Sequence, residues 1–498
     1  MHSATPICSI IVLGGGSAGF IAAVTLKKKL PHLEITVLRS PAIGIIGVGE
    51  GTTPYFPAHF HEYLKIDQAS FYKEAEPIWK LGIRYLWGSR PSFNYTFSQQ
   101  VEWQWKDLPK PNGYYCDADF TNVDLYSAMM DQKKVFARQA NGTPAISNGF
   151  AWHIENKKLV GWLEARSVEA GVVVRDATVT GVVRRADGGI ASLKLEDGSS
   201  VSADLIVDAS GFISELLGRA LEEPYISYAD SLFCDRAIVG GWERTDEPIQ
   251  AFTTAETMDA GWCWRIDHET IINRGYVFSS AHLSDEAAEQ EYRAKNPRAG
   301  QTRIVKFRTG RYARPWVQNV VAIGNASGFV EPLEATALML ICLQSRALAD
   351  GLIASDAQPT ASGVAVHNAF LNGVWDDVRD FLAIHYRFNA RLETPFWQRC
   401  RQDVALHGAA PLVEYYRENG PNMIPRSVLL NPNSPFGLEG YYTLLIGQSV
   451  PFARLHQPAA DELRRWEAHR RQFAAAAKAA MTAEEALRFI RDPRWRWR

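Results

Sequence analysis

Residues 8–38 constrain this chain more than any other stretch. The apolar run CSIIVL, Cys8 to Leu13, enters GGGSAG and then FIAAVTLKKKL, and a second short run, EITVL, ends at Leu38. A short apolar run stopped by glycine reads as a buried strand, and the longer one reads as a helix. Strand, glycine turn, helix and strand in that order make a βαβ unit. Gly14, Gly16 and Gly19 fall in it at Gly-x-Gly-x-x-Gly spacing, with Ser17 and Ala18 opening the helix. Glycines placed so let backbone amides and the positive end of the helix dipole hold a pyrophosphate. The expected ligand is a dinucleotide.

The rest of the 498 residues supplies a body for that unit. With 46% hydrophobic and 22% charged residues there is ample material for a core. A net charge of −2 gives no excess of Lys and Arg with which to neutralise phosphates, so a nucleic-acid partner is not expected. The six cysteines, Cys8, Cys116, Cys234, Cys263, Cys342 and Cys400, form no Cys-x-x-Cys pair. Neither a metal site nor a dithiol site is expected, and a reducing cytoplasm suits the chain. The start has no leader pattern, and no apolar run is read as long enough to span a bilayer.

Further along, VVVRDATVTGVVRRADGGIASLKLEDGSSVSADLIVDASG alternates β-rich runs with turn signals, which predicts a meander returning to the main sheet. VQNVVAIGNASGF repeats the strand-to-glycine pattern, and the apolar stretch after Pro332 reads as a long buried helix. Beyond about Asp350 the pattern is mostly helical. The ending, Arg494-Trp495-Arg496-Trp497-Arg498, reads as the frayed end of a solvated helix.

Asp208-Ala-Ser-Gly211 closes a meander strand, and Gly324-Asn325-Ala326 follows another. Together with the N-terminal glycines they resemble FAD enzymes of the aromatic-hydroxylase superfamily. That resemblance implies an α/β, glutathione-reductase-like FAD-binding fold, a Rossmann βαβ plus a β-meander, joined to a second, mixed and largely helical substrate domain. The expected FAD module is 1–90, 151–225 and 300–353, with the substrate module in 91–150, 226–299 and 354–498. Where the second strand usually ends in an acid for the ribose hydroxyls, this chain has Arg39. Arg39 either stacks on the adenine or reads a ribose phosphate, which would make the ligand NADP.

Four ordered segments carry a closer resemblance: IGVGEGT at Ile46 to Thr52, WKLGIRY at Trp79 to Tyr85, GWCWRI at Gly261 to Ile266, and FVEPLEAT at Phe329 to Thr336. They resemble the flavin-dependent tryptophan halogenases. The resemblance implies that Ile46, Gly47, Val48, Gly49 and Glu50 belong to a flavin-contacting strap. It implies that Lys80 directs hypohalous acid and that Glu334 assists the electrophile or accepts the ring proton. Phe329 begins the segment linking flavin and substrate sites, and Thr336 and Ala337 fall where backbone amides hold the halide. Two departures stand out: Ala335-Thr336-Ala337 replaces the usual Ser-Thr-Gly, and Asp267 replaces a usual proline. Trp262 and Trp264 are either the barrier the family signature implies or plain core aromatics.

The family's substrate residues are only partly matched. Tyr95 and Phe97 in FNYTF approximate one pair, and Phe436, Glu439 and Tyr441 in PFGLEGYYTLL approximate a second group. Aromatic stacking surfaces favour indole or another electron-rich arene, and a free indole, a substituted indole or a larger tryptophan-containing molecule all fit. The resemblance thus implies a halogenase using FADH2, O2 and chloride or bromide. A separate NAD(P)H-dependent flavin reductase would supply the reduced flavin, and the chain would be a monomer or homodimer. The competing readings are a flavin-dependent aromatic monooxygenase and a non-catalytic flavin-binding protein.

Overall fold

The computed structural model describes residues 6–44, 49–98, 100–146 and 149–497. The chain divides into two compact units, each assembled from three segments: 1–76, 154–228 and 307–375 in the first, and 77–153, 229–306 and 376–498 in the second.

The first unit is α/β. Strand β1 (Ser9–Leu13) leads through the glycine turn into helix α1 (Ser17–Lys29) and strand β2 (Glu34–Arg39). Every residue of α1 from Gly19 to Leu26 is buried, so the helix is a core element rather than an amphipathic one. It ends where Lys27, Lys28 and Lys29 meet the negative pole of the dipole and Pro31 forbids continuation.

The central sheet of this unit has six strands. β1 pairs in parallel with β2 and with Leu205–Asp208; β2 also pairs with Val173–Asp176, and Leu205–Asp208 with Val320–Ala322. Trp316–Val317 closes one edge antiparallel. Leu13 stands opposite Asp208, and Asp208 opposite Ala322, so three loops leave the sheet at one end: Gly14–Gly16, Ala209–Gly211 and Gly324–Ala326. That is the carboxyl end of parallel strands, where open α/β sheets bind their ligands. The expected meander is present as the antiparallel strands Val179–Arg184, Ile190–Leu195 and Ser200–Val201.

Two expectations are corrected in this unit. The helix expected from Pro332 begins at Ala337. Before it come a single 3-10 turn, Pro332–Glu334, closed by the Ala335 amide on the Pro332 carbonyl, and Ala335 itself in the left-handed region at φ 55°. The same helix, Ala337–Ala354, is by length and composition apolar enough to cross a membrane, although no such run was expected. Leu338, Leu340, Ile341 and Leu348 are buried, Ile353 near its end is exposed, and the helix packs along α1. A core helix covered on several sides needs the same composition as a spanning one.

The second unit is built on a seven-stranded sheet. Its order is Arg303–Lys306, Arg236–Glu243, Ile271–Phe278, Gly261–Asp267, Thr253–Met258, Gly82–Leu86 and Phe93–Thr96. All neighbours are antiparallel except Thr253–Met258 against Gly82–Leu86. A separate short ladder pairs Ile78–Lys80 with Ala151–Ile154. Helices Pro395–Asp403, Ala410–Asn419, Gly437–Gly447, Ala460–Lys478 and Ala483–Ile490 complete the unit.

Candidate active site

The glycine loop of the first unit divides its labour. A Cβ on Gly14 would lie 2.3 Å from the Ala209 carbonyl oxygen, and one on Gly19 would lie 1.8 Å from the Gly14 carbonyl oxygen. Those two glycines let the backbones approach each other. A Cβ on Gly16 would meet nothing within 4 Å. Gly16 caps α1 with no side chain bonded to the first-turn amides, so the open space in front of it lies at an anion-ready helix end. The residues present fit a pyrophosphate.

Arg39 is already engaged. Its guanidinium pairs with Glu164 at 2.7 Å and Asp176 at 2.8 Å, and its aliphatic stem occupies the space a side chain at Gly15 would need. Two carboxylates neutralise the charge that a ribose phosphate would require, which removes the structural support for NADP.

Ser17 donates to Asn156 Oδ1 at 3.2 Å, and Asn156 Nδ2 donates to Glu50 at 3.2 Å. Asn156 thus ties the start of α1 to the described part of the expected strap, Gly49 and Glu50; Ile46, Gly47 and Val48 lie outside the described residues. Glu50 is half-buried, and the surrounding protein pushes its carboxyl up to about 7 against the pull of Asn156. Asp208 is buried with both oxygens committed: one accepts from Ser210, the other from the Leu216 and Leu217 amides at 2.8 and 2.9 Å. Burial raises its pKa, and those bonds pull the other way. Its carboxylate shapes the turn carrying Gly211 instead of reaching outward.

Gly324 approaches Ala18 so closely that a Cβ there would be 2.9 Å from the alanine methyl, and its amide donates to buried Gln344. Asn325 follows, half-buried. Phe329 sits between Phe212 and Phe307, with ring centroids 4.8 and 5.0 Å away. Glu334 is buried at the end of the 3-10 turn, Thr336 caps the next helix, and Ala337 is its first residue. The Thr336 side chain makes no capping bond to that helix, so amides at its positive pole are placed as an anion site requires.

In the second unit Lys80 is wholly buried, and its Nζ lies 5.6 Å from the Phe97 ring centroid, within cation–π range. Phe97 is held there by its amide on the Leu81 carbonyl. Tyr95, Phe436 and Tyr441 are brought together around Phe381. Phe436 stacks on Phe381 at 3.8 Å, while Tyr95 and Tyr441 stand 6.0 and 5.1 Å away. Asp377 accepts from the Tyr441 hydroxyl at 3.2 Å and from Ser434 at 2.7 Å, and burial pushes its carboxyl up to about 6. Glu439 adjoins this cluster in sequence, but its two oxygens accept from the Val101 and Glu102 amides at 2.8 and 2.9 Å. Burial still pushes it up to about 8. Its structural work is to hold the 101–102 segment.

Trp262 and Trp264 lie on one face of their strand, 6.0 Å apart, both buried. Asp267, at the end of that strand, is buried between Arg265 at 2.8 Å and Arg244 at 3.1 Å, and it accepts from the Gln250 amide. The acid standing in place of the expected proline is thus matched by two arginines of its own unit.

A sequence profile described as Tryptophan halogenase matches residues 9–464, which is most of the chain. The chain belongs to the tryptophan halogenase family. This halogenase is 32% identical to Tryptophan 7-halogenase KtzQ of Kutzneria sp. (strain 744), over 85% of this chain and 84% of that one. It is 29% identical to Tryptophan 7-halogenase RebH of Lentzea aerocolonigenes, over 82% of each. Among solved structures it resembles MibH, a lanthipeptide tryptophan 5-halogenase, with TM-score 0.89 and 35% identity over 99% of this chain and 95% of that one. It is therefore a flavin-dependent oxidoreductase, and the family implies FAD and halide.

Three residues of this halogenase that matter to the arrangement escaped sequence reasoning. Asn156 lies in AWHIEN, where no spacing marks it. Phe381 and Asp377 lie on the long helix Ala361–Arg387, whose pattern shows only a buried helix. Their partners are 50 or more positions distant in sequence, beyond the reach of any local periodicity.

Proposed function

We propose that this protein is an FADH2- and O2-dependent halogenase that directs hypohalous acid through Lys80 onto an electron-rich ring, an indole or a tryptophan-like substrate. The observation that carries this reading is the wholly buried Lys80 with the Phe97 ring 5.6 Å from its ammonium, in the unit that also holds the Tyr95, Phe381, Phe436 and Tyr441 cluster. A lysine removed from water and facing the Phe97 ring is suited to donate a hydrogen bond to a small oxidant, or to be halogenated itself. The aromatic cluster offers stacking surface for the ring that receives the halogen.

In this reading the first unit is a glutathione-reductase-like FAD module. Gly14, Gly16, Ser17, Ala18, Gly19 and Asn325 hold the nucleotide; Gly49, Glu50, Gly211, Gly324 and Phe329 shape the flavin's surroundings; and Arg39 supports the loop from behind. When bound, reduced FAD with O2 supplies the oxidising power that converts halide to hypohalous acid. The amides of Thr336 and Ala337 hold the halide at the helix end, and Glu334 takes the proton that leaves the ring carbon. A separate flavin reductase provides the reduced cofactor. The named relatives act on tryptophan, one of them within a lanthipeptide, so both free and peptide-borne tryptophan belong among the substrates to be tried.

The test is mass spectrometry of reactions on indole, tryptophan and a tryptophan-containing peptide, with FAD, a flavin reductase, NADH and either bromide or chloride. A halogen isotope pattern that disappears in Lys80→Ala is the expected result. Hydroxylated product without halogen would instead establish a monooxygenase.

A further inference from the structure

The strands Ile78–Lys80 and Ala151–Ile154 pair antiparallel, with Ile78 opposite His153 and Lys80 opposite Ala151. Side chains two apart on a strand share a face, as do directly opposed residues, so Lys80 and His153 are diagonal neighbours on one face. Such neighbours stand about 7–8 Å apart, within reach of long side chains. Ala151, directly across from Lys80, places only a methyl group beside them.

His153 is wholly buried, and both ring nitrogens are used. Nδ1 lies 3.1 Å from the Asp267 carbonyl oxygen and Nε2 lies 2.9 Å from Thr253 Oγ1. A carbonyl only accepts, so Nδ1–H donates to Asp267; in the neutral ring Nε2 then accepts from the Thr253 hydroxyl. The imidazole therefore ties the Lys80 ladder to two strands of the seven-stranded sheet, Thr253–Met258 and Gly261–Asp267. The carbonyl it binds is itself immobilised, since the Asp267 side chain is clamped by Arg244 and Arg265.

We propose that His153 is a positioning residue for Lys80: as a neutral, doubly hydrogen-bonded imidazole it fixes the strand that presents the lysine and keeps a second cation off the lysine's face. The inference rests on the reading of Lys80 given above. Burial, Lys80, His268 and Arg244, in that order, all disfavour a charged ring, and only the bond to the Asp267 carbonyl favours it. Removing the imidazole frees the strand and alters the field at the Lys80 amine together.

The experiment compares His153→Phe, which keeps ring volume but loses both hydrogen bonds, with His153→Gln, which retains one donor and one acceptor. Asp267→Asn, which leaves the backbone carbonyl in place but weakens its clamp, is the third variant. All are assayed as full-length, FAD-loaded protein with matched melting temperatures. For His153→Phe, kcat falls by up to about 100-fold, the cost of a misplaced catalytic group, while KM for the aromatic substrate changes little. A limb of the pH–rate profile for halogenation moves by about half a unit or more from its position in the parent protein. Free hypohalous acid, caught by an added β-diketone, rises relative to halogenated product. His153→Gln recovers most of kcat, and Asp267→Asn shifts in the same direction by less.

An unmoved pH limb in His153→Phe, or kcat and KM changing in parallel, overturns the proposal while leaving the role of Lys80 intact. Halogenation that persists in Lys80→Ala overturns both. If His153→Phe does not fold, Asp267→Asn decides on the same criteria, with His153→Gln as the variant expected to stay near the parent.

Discussion

The indole of Trp264 lies over the α-carbon of Gly275 on the neighbouring strand, where the two residues are paired opposite each other. A Cβ at Gly275 would come within 2.0 Å of Trp264 Cζ2, so the glycine is what gives this ring its place. Gly275→Ala is expected to lower stability by about 1–3 kcal/mol, the cost of overpacking a close-packed site. Thermal unfolding and a change in tryptophan emission check it. An unchanged melting temperature and spectrum would show that the ring moves aside freely.

The glycine loop makes opposite predictions for Gly16 and Gly19. Gly16→Ala adds a methyl in open space at φ −90°, so the fold is kept, but the methyl intrudes where the pyrophosphate would lie. FAD affinity is expected to fall by about tenfold, or 1.4 kcal/mol, with an unchanged melting temperature for the apoprotein. Gly19→Ala drives a methyl into the Gly14 carbonyl and is expected to abolish soluble folded protein. Flavin-fluorescence titration and thermal melts distinguish the two outcomes.

Ala335 holds a left-handed backbone at φ 55°, ψ 36°, just before the helix whose first amides are assigned to halide. A non-glycine residue there carries about 1–2 kcal/mol of strain. Ala335→Gly is expected to recover a good part of that as stability, seen as a higher midpoint of denaturant unfolding. A lower midpoint would contradict the assignment of strain to Ala335.

Above about pH 6.5 stability should decline through the buried carboxyl Glu439, with Glu50 and Asp377 adding to the lower part of the window. Glu439 is raised from 4.5 to about 8 and Asp377 from 3.8 to about 6. For each group the native state binds more protons than the unfolded state between the two values. The stabilisation is fully present below the unfolded pKa and is lost as pH rises through the folded one. Denaturant unfolding between about pH 6.5 and 8.5 should therefore show a falling midpoint that Glu439→Gln flattens, whereas below about pH 6.5 the lowered His59 and His367 act in the opposite sense because the unfolded state binds the extra protons. A midpoint independent of pH in the parent protein would contradict both assignments.

What the sequence determined by itself were the features written in short spacing. The glycine loop after β1, the parallel sheet, the meander and the halogenase segments all announce themselves within a few tens of residues, because strand periodicity, turn chemistry and close backbone approach are local requirements. Even there the start of the helix at Ala337 was read five residues early, since nothing local requires a left-handed alanine after Glu334. Tertiary structure alone decided which polar groups face inward and which partners they take. Arg39 turned out to be held by Glu164 and Asp176, Glu439 by the amides of Val101 and Glu102, and Asp208 by the turn it caps. Phe381 joined Tyr95, Phe436 and Tyr441, and His153 came to lie beside Lys80. A buried charge or ring must find its donor or packing partner wherever the folded chain supplies one. For Asp208 the partners Leu216 and Leu217 follow within the next turn; for the others the partner lay tens to hundreds of residues away, where no periodicity could record it.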